Sequence, residues 1–290
     1  MTNQYSRYRF SLLHADYVKL DKRWNYLNVI SPYYRIYYID NGEGQIVSGK
    51  EKIKLEPGFI YLVPSFTLCH LRCNGVLGQY FIHFFEQADN AVSLFENHRK
   101  VIKLAASPTD QSILQRLLEI NPGRGINRSD NPSVYEKAAY YKSYQELNQS
   151  MRGSVYFETQ GILLLLLARF MGVTALESAG SGPIPSKILD SIRYIQLNLP
   201  LQISVALLAR RVNHNEDYFS RLFYKYTGQR PLPYIQEKRI ERAQYLIATT
   251  SLAFTEIAER TGFESLSYFS KIFKRITCLT PGAYRRQQHL

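Results

Sequence analysis

The pattern of hydrophobic and polar positions changes near residue 109 of the chain. Before that point apolar and polar residues alternate with a period of two, in short runs rich in β-branched and aromatic side chains and separated by Gly, Pro and Asn. Many short strands with such turns are typical of a small β-barrel or sandwich. The predicted strands cover residues 33–39, 45–47, 51–55, 59–63 and 80–85.

After residue 109 the apolar positions follow a helical period. A helix is predicted over 111–119, then a loop rich in Gly, Pro and Asn over 121–132, then a long helical stretch over 133–171. Residues 157–170 are apolar nearly all round, so protein should cover this helix, either its own domain or a second subunit. The run 162–168 is too short to span a bilayer, which favours a buried helix.

The last hundred residues contain an internal repeat. The segment YFSRLF at 218–223 recurs fifty residues later as YFSKIF at 268–273. The register continues through the pairs Thr227 and Thr277, Pro231 and Pro281, and Tyr234 and Tyr284. A single amphipathic helix with a basic face could be an ordinary surface helix, but two copies in one register predict a duplicated unit.

Each copy has the features of a helix-turn-helix unit. A short helix ends at a residue that tolerates positive φ, Asn213 in the first copy and Gly262 in the second. Asn215 and Ser265 are suited to N-cap the helices that follow. A joining helix predicted over 233–248 would set the two second helices about one turn of DNA, ~34 Å, apart.

The charge of the chain is unevenly distributed. The 290 residues have a net charge of +12. From Ser186 onward there are 16 Lys and Arg against 8 Asp and Glu, so the last third carries eight of these twelve charges. This distribution favours a polyanionic partner for the repeated units.

The three cysteines and the N-terminus bear on the compartment. Cys69, Cys73 and Cys278 are too few and too scattered for a disulfide framework, and no further ligands stand near the first two to complete a zinc site. No apolar leader is visible at the N-terminus. A cytoplasmic protein without a membrane association is expected.

The repeat carries a resemblance to a known family. LLARRVNHNEDYFSRLFYKYTG and TEIAERTGFESLSYFSKIFKRITCLTPGAYRR closely resemble the two helix-turn-helix units of the AraC/XylS transcription regulators. More weakly, LEPGFIYLVPS and YFIHF resemble the cupin-like effector domain of that family. The resemblance implies a multi-domain α and β protein. Its parts are a cupin-like domain over 1–105, a dimerising helical segment over 106–177, a linker over 178–186, and a double helix-turn-helix domain over 187–290.

The resemblance also implies which side chains meet DNA. Base-reading residues carried over by position are Asp217, Ser220 and Arg221 in the first helix, and Ser267, Ser270 and Lys271 in the second. Residues expected to hold phosphates are Lys225, Arg239, Lys274 and Arg275. Arg221 is the strongest candidate because its guanidinium can bind guanine O6 and N7 together. Any one of these cations could instead be a solvated surface charge.

The acidic start of the first helix departs from this pattern. Glu216 and Asp217 suit the helix dipole, yet they would face a polyanion. Asp217 could accept a hydrogen bond from cytosine N4, or the first unit could contribute less to binding. Both alternatives remain open.

The N-terminal domain raises the question of a ligand or an enzyme. Metal-dependent cupin enzymes need several histidines and a carboxylate, whereas His70 and His83 are isolated in the sequence. Neither catalysis nor a metal or other cofactor is expected. If the strand face with Arg35 and Tyr37 looks inward, these residues could surround a small effector, either a sugar or a carboxylate, together with Trp24, His70, Tyr80 and His83. Strict alternation places Tyr80 and His83 on opposite faces, and a filled core is the competing interpretation.

The leading interpretation is therefore a sequence-specific transcription regulator, an activator in the family's commonest mode. Its expected partners are promoter DNA, a small effector, RNA polymerase and a second copy of the chain. The alternatives are an enzyme with a cupin-like domain and a nonspecific nucleic-acid-binding or scaffold protein.

Overall fold

A computed structural model describes residues 8–88, 93–96, 99–125, 138–177 and 185–289. Within these residues, nine strands form the N-terminal domain. They are β1 (Tyr8–Leu20), β2 (Asn25–Val29), β3 (Tyr34–Gly42), β4 (Gly44–Ser48), β5 (Glu51–Leu55), β6 (Phe59–Val63), β7 (Cys69–Arg72), β8 (Leu77–Ala88) and β9 (Ile102–Ala105).

The strands form two antiparallel sheets that pack face to face. One has the order β1-β8-β3-β6-β9 and the other β2-β7-β4-β5. The five predicted strands are confirmed, whereas β1, β2, β7 and β9 were missed. The inward face of β3 carries Arg35, Tyr37 and Ile39, as alternation predicts, and the last two pack in an apolar cluster between the sheets with Trp24, Tyr61 and Leu71.

Helices cover the other face of the five-stranded sheet. They are α1 (Pro108–Ile120), α2 (Ala138–Gln149) and α3 (Gly153–Glu177). Leu114 and Leu117 of α1 pack with Leu163, Leu166 and other residues of α3 against the sheet. The predicted single stretch over 133–171 is broken at residues 150–152, and its first residues, like most of the predicted loop over 121–132, lie outside the described part of the chain.

Among the described residues, only one side of α3 is covered. Leu163, Leu166 and Phe170 are buried, but Phe157 is 74% exposed, Leu164 49% and Leu165 51%. The described residues of one chain therefore do not cover the whole helix, and its coverage by a second subunit stays a prediction. By length and composition alone, the 20 residues Gly153–Gly172 could cross a membrane. This apolar stretch is longer than the run 162–168 that the sequence analysis considered.

Seven helices form the C-terminal domain within the described residues. They are α4 (Ser186–Leu197), α5 (Val205–Arg211), α6 (Glu216–Thr227), α7 (Pro231–Thr249), α8 (Phe254–Arg260), α9 (Leu266–Thr277) and α10 (Pro281–His289). The units α5–α6 and α8–α9 have separate apolar cores, and both cores include residues of α7. The predicted linker over 178–186 lies almost wholly outside the described residues.

The two domains contact each other directly. Ile30 of the N-terminal domain is buried in the core of the second helix-turn-helix unit, and the Tyr284 hydroxyl donates a hydrogen bond to its carbonyl at 3.4 Å. Phe85 of β8 packs edge to face on Tyr245 of α7, with ring centroids 5.4 Å apart. The helix that joins the two units thus also contacts the N-terminal domain.

Candidate nucleic-acid interface

The turns and caps that the sequence predicts are confirmed. Asn213 has φ 55° and Gly262 has φ 82°. The Asn215 side chain accepts a hydrogen bond from the Tyr218 amide at 2.8 Å, and that of Ser265 accepts one from the Tyr268 amide at 3.2 Å. These bonds satisfy amides that the first turn of a helix leaves unpaired.

The buried faces of α6 and α9 are equivalent. Phe219 and Phe223 in α6 are fully buried, as are Phe269 and Phe273 in α9. The ring centroids are 5.6 Å apart in both pairs. With the same side chains buried in the same register, the faces turned to solvent are equivalent as well.

Four of the six residues expected to read bases lie on these outer faces. Asp217, Arg221, Ser267 and Lys271 are exposed, whereas Ser220 and Ser270 are half-buried. Spacings of three and four residues put each set of three on one side of its helix. The Ser220 hydroxyl is engaged by Arg230 Nη1 at 3.1 Å, a neighbour that the sequence interpretation missed.

Two of the four cations expected at phosphates point elsewhere. Lys225 and Lys274 are exposed. Arg239 is instead buried between the two units, where Nε and Nη2 donate to the carbonyls of Leu199 and Leu201. Arg275 is exposed but turns Nη2 to Gln236 Oε1 of α7 at 2.7 Å. The assignment of Arg239 to phosphate was wrong because helical spacing alone did not reveal the loop packed over its outer side.

Cations lie in the last turns of α5, α6 and α9, and the two in α5 were passed over by the sequence interpretation. Arg210 and Arg211 end α5, and the Arg211 guanidinium lies 3.9 Å from the centroid of the Tyr194 ring. Lys225 ends α6, and Lys274 and Arg275 end α9, where cations suit the helix dipole. Glu216 and Asp217 occupy the opposite end of α6 and are both exposed.

The six effector candidates do not surround one space. Trp24, Tyr37 and His83 face the interior between the sheets, with Arg35 directly opposite His83 across β3 and β8. Tyr80 lies on the other face of β8 and packs on Tyr17 and Tyr38. The remaining residue, His70, alternates with the inward-facing Cys69 and Leu71, so it lies on the outer face of its sheet. Trp24 and Tyr37 are packed in the apolar core, which matches the filled-core alternative.

A second buried histidine was missed. His14 Nδ1 lies 3.0 Å from His83 Nδ1, and both rings are fully enclosed. Burial lowers the pKa of His14 to about 3, with a smaller contribution from the nearby Arg124. Burial, then His14 and Arg35, hold the pKa of His83 well below its usual range. Among the described residues no group of three or more His, Cys, Asp or Glu side chains is placed to hold a metal ion.

A cavity of about 410 Å³ opens where the two domains meet. Cations and carboxylates from both domains line it, among them Glu86, Glu96, Arg99, Lys238, Glu241 and Arg242. Lys238 Nζ of α7 lies 3.2 Å from a Glu96 oxygen and 3.1 Å from a Glu241 oxygen, while Arg99 pairs with Glu241 and the Tyr234 hydroxyl donates to Glu96. The sequence offered no sign of this network, because its members are far apart along the chain.

The network favours the ionised form of the Glu241 carboxyl. Burial raises the pKa of Glu241, but Arg99 and Lys238 together lower it by a larger amount, so the net shift is downward. Burial would lower the pKa of Arg99, yet the carboxylates of Glu241 and Glu96 raise it overall. Arg99 and Glu241 are thus held as buried ions at the surface between the domains.

Comparison with known proteins agrees with the duplicated units. A helix-turn-helix domain family matches residues 208–287. The Tn10 TetD protein of Escherichia coli is 33% identical over 101 residues, which cover 35% of this chain and 73% of the relative. The chain belongs to the AraC/XylS family of transcription regulators. Its C-terminal domain is accordingly a DNA-binding domain, and its relatives are transcription regulators, which is a non-enzymatic role.

Other relatives support the same assignment. The transcriptional activator RhaR of Cronobacter sakazakii is 35% identical over 111 residues, covering 38% of this chain and 39% of RhaR. The chain spans between about a third and a half of the length of the first curated relatives it matches. The fold of the whole chain is similar to ToxT of Vibrio cholerae, solved with a bound unsaturated fatty acid: the TM-score is 0.51 at 14% identity over 98% of this chain and 97% of ToxT.

Proposed function

We propose that this AraC-type regulator is a sequence-specific transcription activator that responds to a small molecule. The observation that carries the DNA-reading part is the pair of equivalent outer faces on α6 and α9, each with two exposed polar or charged side chains at the positions expected to read bases. Nonspecific binding needs charge, but it does not need a duplicated reading face.

The geometry of α7 suits two neighbouring DNA segments. Its 19 residues span roughly 28 Å at 1.5 Å per residue. One turn of DNA is about 34 Å, so a single chain can place α6 and α9 in successive major-groove segments. Arg221 and Lys271 would then read guanine, Ser267 and Ser270 the adjacent bases, and Lys225 and Lys274 would hold phosphates.

We assign the effector to the cavity between the domains and not to the space between the sheets. The cavity has the volume of a small-molecule site, and charged side chains of both domains line it. Lys238, Arg99 and Arg242 favour a polar effector with a carboxylate, as the bound fatty acid of the similarly folded ToxT also has. A neutral sugar is the alternative, and it would rely on the cavity's hydroxyl and amide groups.

Such a ligand would act on α7. Its carboxylate would compete with Glu96 and Glu241 for Lys238, and the loss of these bonds would weaken the hold of the N-terminal domain on the helix that joins the two reading units. The response thus arises from differential binding to two arrangements of the domains. A ligand that binds both arrangements equally would change nothing.

A second copy of the chain is the proposed partner of α3. Phe157, Gly161, Leu164 and Ala168 are exposed at spacings of four, three and four residues, which is the spacing of a helix-pairing seam. An added Cβ at Gly161 would meet nothing within 4 Å, so another helix can approach closely there. A dimer would place four reading helices on one promoter, where the regulator would contact RNA polymerase in the cytoplasm.

The proposal is tested by selecting duplexes from random-sequence DNA with the full chain at near-physiological salt. A regulator should enrich one sequence with two contacted segments and should bind it at least about a thousandfold more tightly than a scrambled duplex. Equal binding of the scrambled duplex would favour the nonspecific alternative. Stoichiometric metal that depends on His70 and His83 would favour the enzyme.

A further inference from the structure

Arg239 lies at the centre of the contact between the two helix-turn-helix units. Its guanidinium donates from Nε to the Leu199 carbonyl at 3.0 Å and from Nη2 to the Leu201 carbonyl at 2.7 Å. Residues 199–201 connect α4 to α5, and Leu199 packs against the apolar core of the first unit. The side chain is 9% exposed, which leaves it no route to a phosphate on the surface.

The second unit packs on the other side of the same guanidinium. A Cβ added at Gly262 would lie 2.8 Å from Arg239 Nη2 and 2.2 Å from the Leu199 oxygen, so the turn of the second unit directly touches the loop of the first. The Phe263 ring centroid is 5.8 Å from the guanidinium carbon. At the surface of the same contact between the two units, Gln202 Nε2 donates a hydrogen bond to Glu264 Oε1 at 2.9 Å.

The other contacts that attach the reading helices to α7 are less directional. Phe223 of α6 packs on Tyr234 with ring centroids 5.2 Å apart, and the core around α9 is apolar. Apolar surfaces tolerate small sliding, whereas a planar guanidinium bonded to two carbonyls accepts one orientation. Gln236, which bonds both Tyr268 and Arg275, restrains α9 alone.

We propose that Arg239 is a positioning residue that sets the distance and rotational phase between α6 and α9. It thereby determines which spacing of two DNA segments the protein accepts, without touching DNA. One base pair changes the separation of the segments by about 3.4 Å and their phase by about 35°. The inference rests on the proposed function, since it presupposes that both helices read one duplex.

The test uses the full chain and the duplex enriched by selection, with one or two base pairs inserted or deleted between its two contacted segments. The wild-type protein should lose about tenfold or more in affinity when the spacing changes by one base pair. Arg239→Ala should bind all spacings within about threefold of one another. Arg193→Ala, an exposed cation of α4 to which no role in binding is assigned, is the control and should keep the wild-type dependence on spacing.

A second variant tests the inference in case Arg239→Ala does not fold. The double variant Gln202→Ala and Glu264→Ala removes the hydrogen bond at the surface of the contact between the units, where both residues are exposed. It should also weaken the dependence of affinity on spacing, by a smaller factor than Arg239→Ala. If these variants weaken binding by one common factor at every spacing, Arg239 does not set the phase and the inference is overturned. If selection enriches no sequence at all, the proposed function fails first.

Discussion

Lys238 Nζ in the helix that joins the two DNA-reading units lies 3.2 Å from the Glu96 carboxylate of the N-terminal domain, and both side chains are only 5% exposed. The joining helix therefore has two sets of partners. Arg239, the next residue, bonds the loop of the first unit, whereas Lys238 and Glu241 bond the N-terminal domain. A change at the domain interface is thus one residue away from the contact between the reading units.

Removal of Lys238 should destabilise the contact between the domains. Lys238→Met leaves Glu96 and Glu241 with fewer opposite charges in a buried setting, which typically costs about 3–5 kcal/mol. Urea unfolding followed by the fluorescence of Trp24, the one tryptophan of the chain, measures this loss. Arg242→Met on the same helix is exposed and should stay within about 0.5 kcal/mol of wild type. Equal effects of the two substitutions would contradict the role of the network.

The buried histidine pair should make the N-terminal domain sensitive to acid. Because the folded pKa of His14 is about 3, against 6.5 when unfolded, the unfolded chain binds more protons between these values, and stability falls as pH falls below 6.5. The slope is at most about 1.4 kcal/mol per pH unit for each of His14 and His83. Unfolding at pH 7 and pH 5 measures it.

The histidine pair itself supplies the control for this pH dependence. The joint replacement His14→Gln and His83→Gln should flatten the slope. Imidazole NMR signals of His14 and His83 that titrate near pH 6.5 in the folded protein would refute the account of this pair.

A charge in the α3 seam should keep the protein monomeric. Leu164 is 49% exposed at the centre of the seam, so Leu164→Asp would bury a carboxylate in a paired interface while costing the single chain little. Sedimentation equilibrium should show a dimer for wild type and a monomer for the variant. Leu197→Asp, on an exposed leucine of α4, should remain dimeric. A monomeric wild type would remove α3 as the partner surface.

Truncation of Arg221 should relax the reading of one base pair. Arg221→Ala should weaken binding of the selected duplex by about 1–3 kcal/mol and abolish the preference at one position. Lys225→Ala should weaken all sequences alike and reduce the salt dependence of binding. Binding to single-base variants of the duplex distinguishes the two. Uniform loss in Arg221→Ala would make that residue a phosphate contact.

Two glycines with similar backbone angles should respond differently to alanine. Gly228 has φ 72° and an added Cβ meets nothing within 4 Å, so Gly228→Ala should cost about 1 kcal/mol from its left-handed backbone. Gly262 has φ 82°, but its Cβ would lie 2.2 Å from the Leu199 oxygen. Gly262→Ala should therefore cost clearly more, because the two units must separate. Similar thermal shifts for both variants would contradict this close packing.

Much of the C-terminal domain was predictable because its determinants are local. A cap needs one side chain and a turn needs one tolerant residue, so Asn213, Asn215, Gly262 and Ser265 could be assigned from the sequence and are confirmed. The repeat then added an internal check, since each copy supports the other. The role of Arg239 was not predictable, because the loop at Leu199 that covers it lies forty positions earlier in the chain.

The N-terminal domain was harder to predict because its determinants are distant in sequence. β1 was missed although it pairs with β8 along most of its length, and this pairing brings His14 to His83. The grouping of six effector residues joined side chains from opposite faces, because periodicity identifies a face but not the space in front of it. The interdomain network joins Glu96 and Arg99 to α7 across more than 130 residues, a relationship that no local pattern encodes.

The most direct measurement is the affinity of the full chain for its selected duplex and for a scrambled duplex of the same composition, at near-physiological salt. The account predicts a preference of at least about a thousandfold for the selected sequence, with protection of two segments about one helical turn apart. Equal affinity for both duplexes, or protection of a single segment, would contradict the claim that both α6 and α9 read DNA.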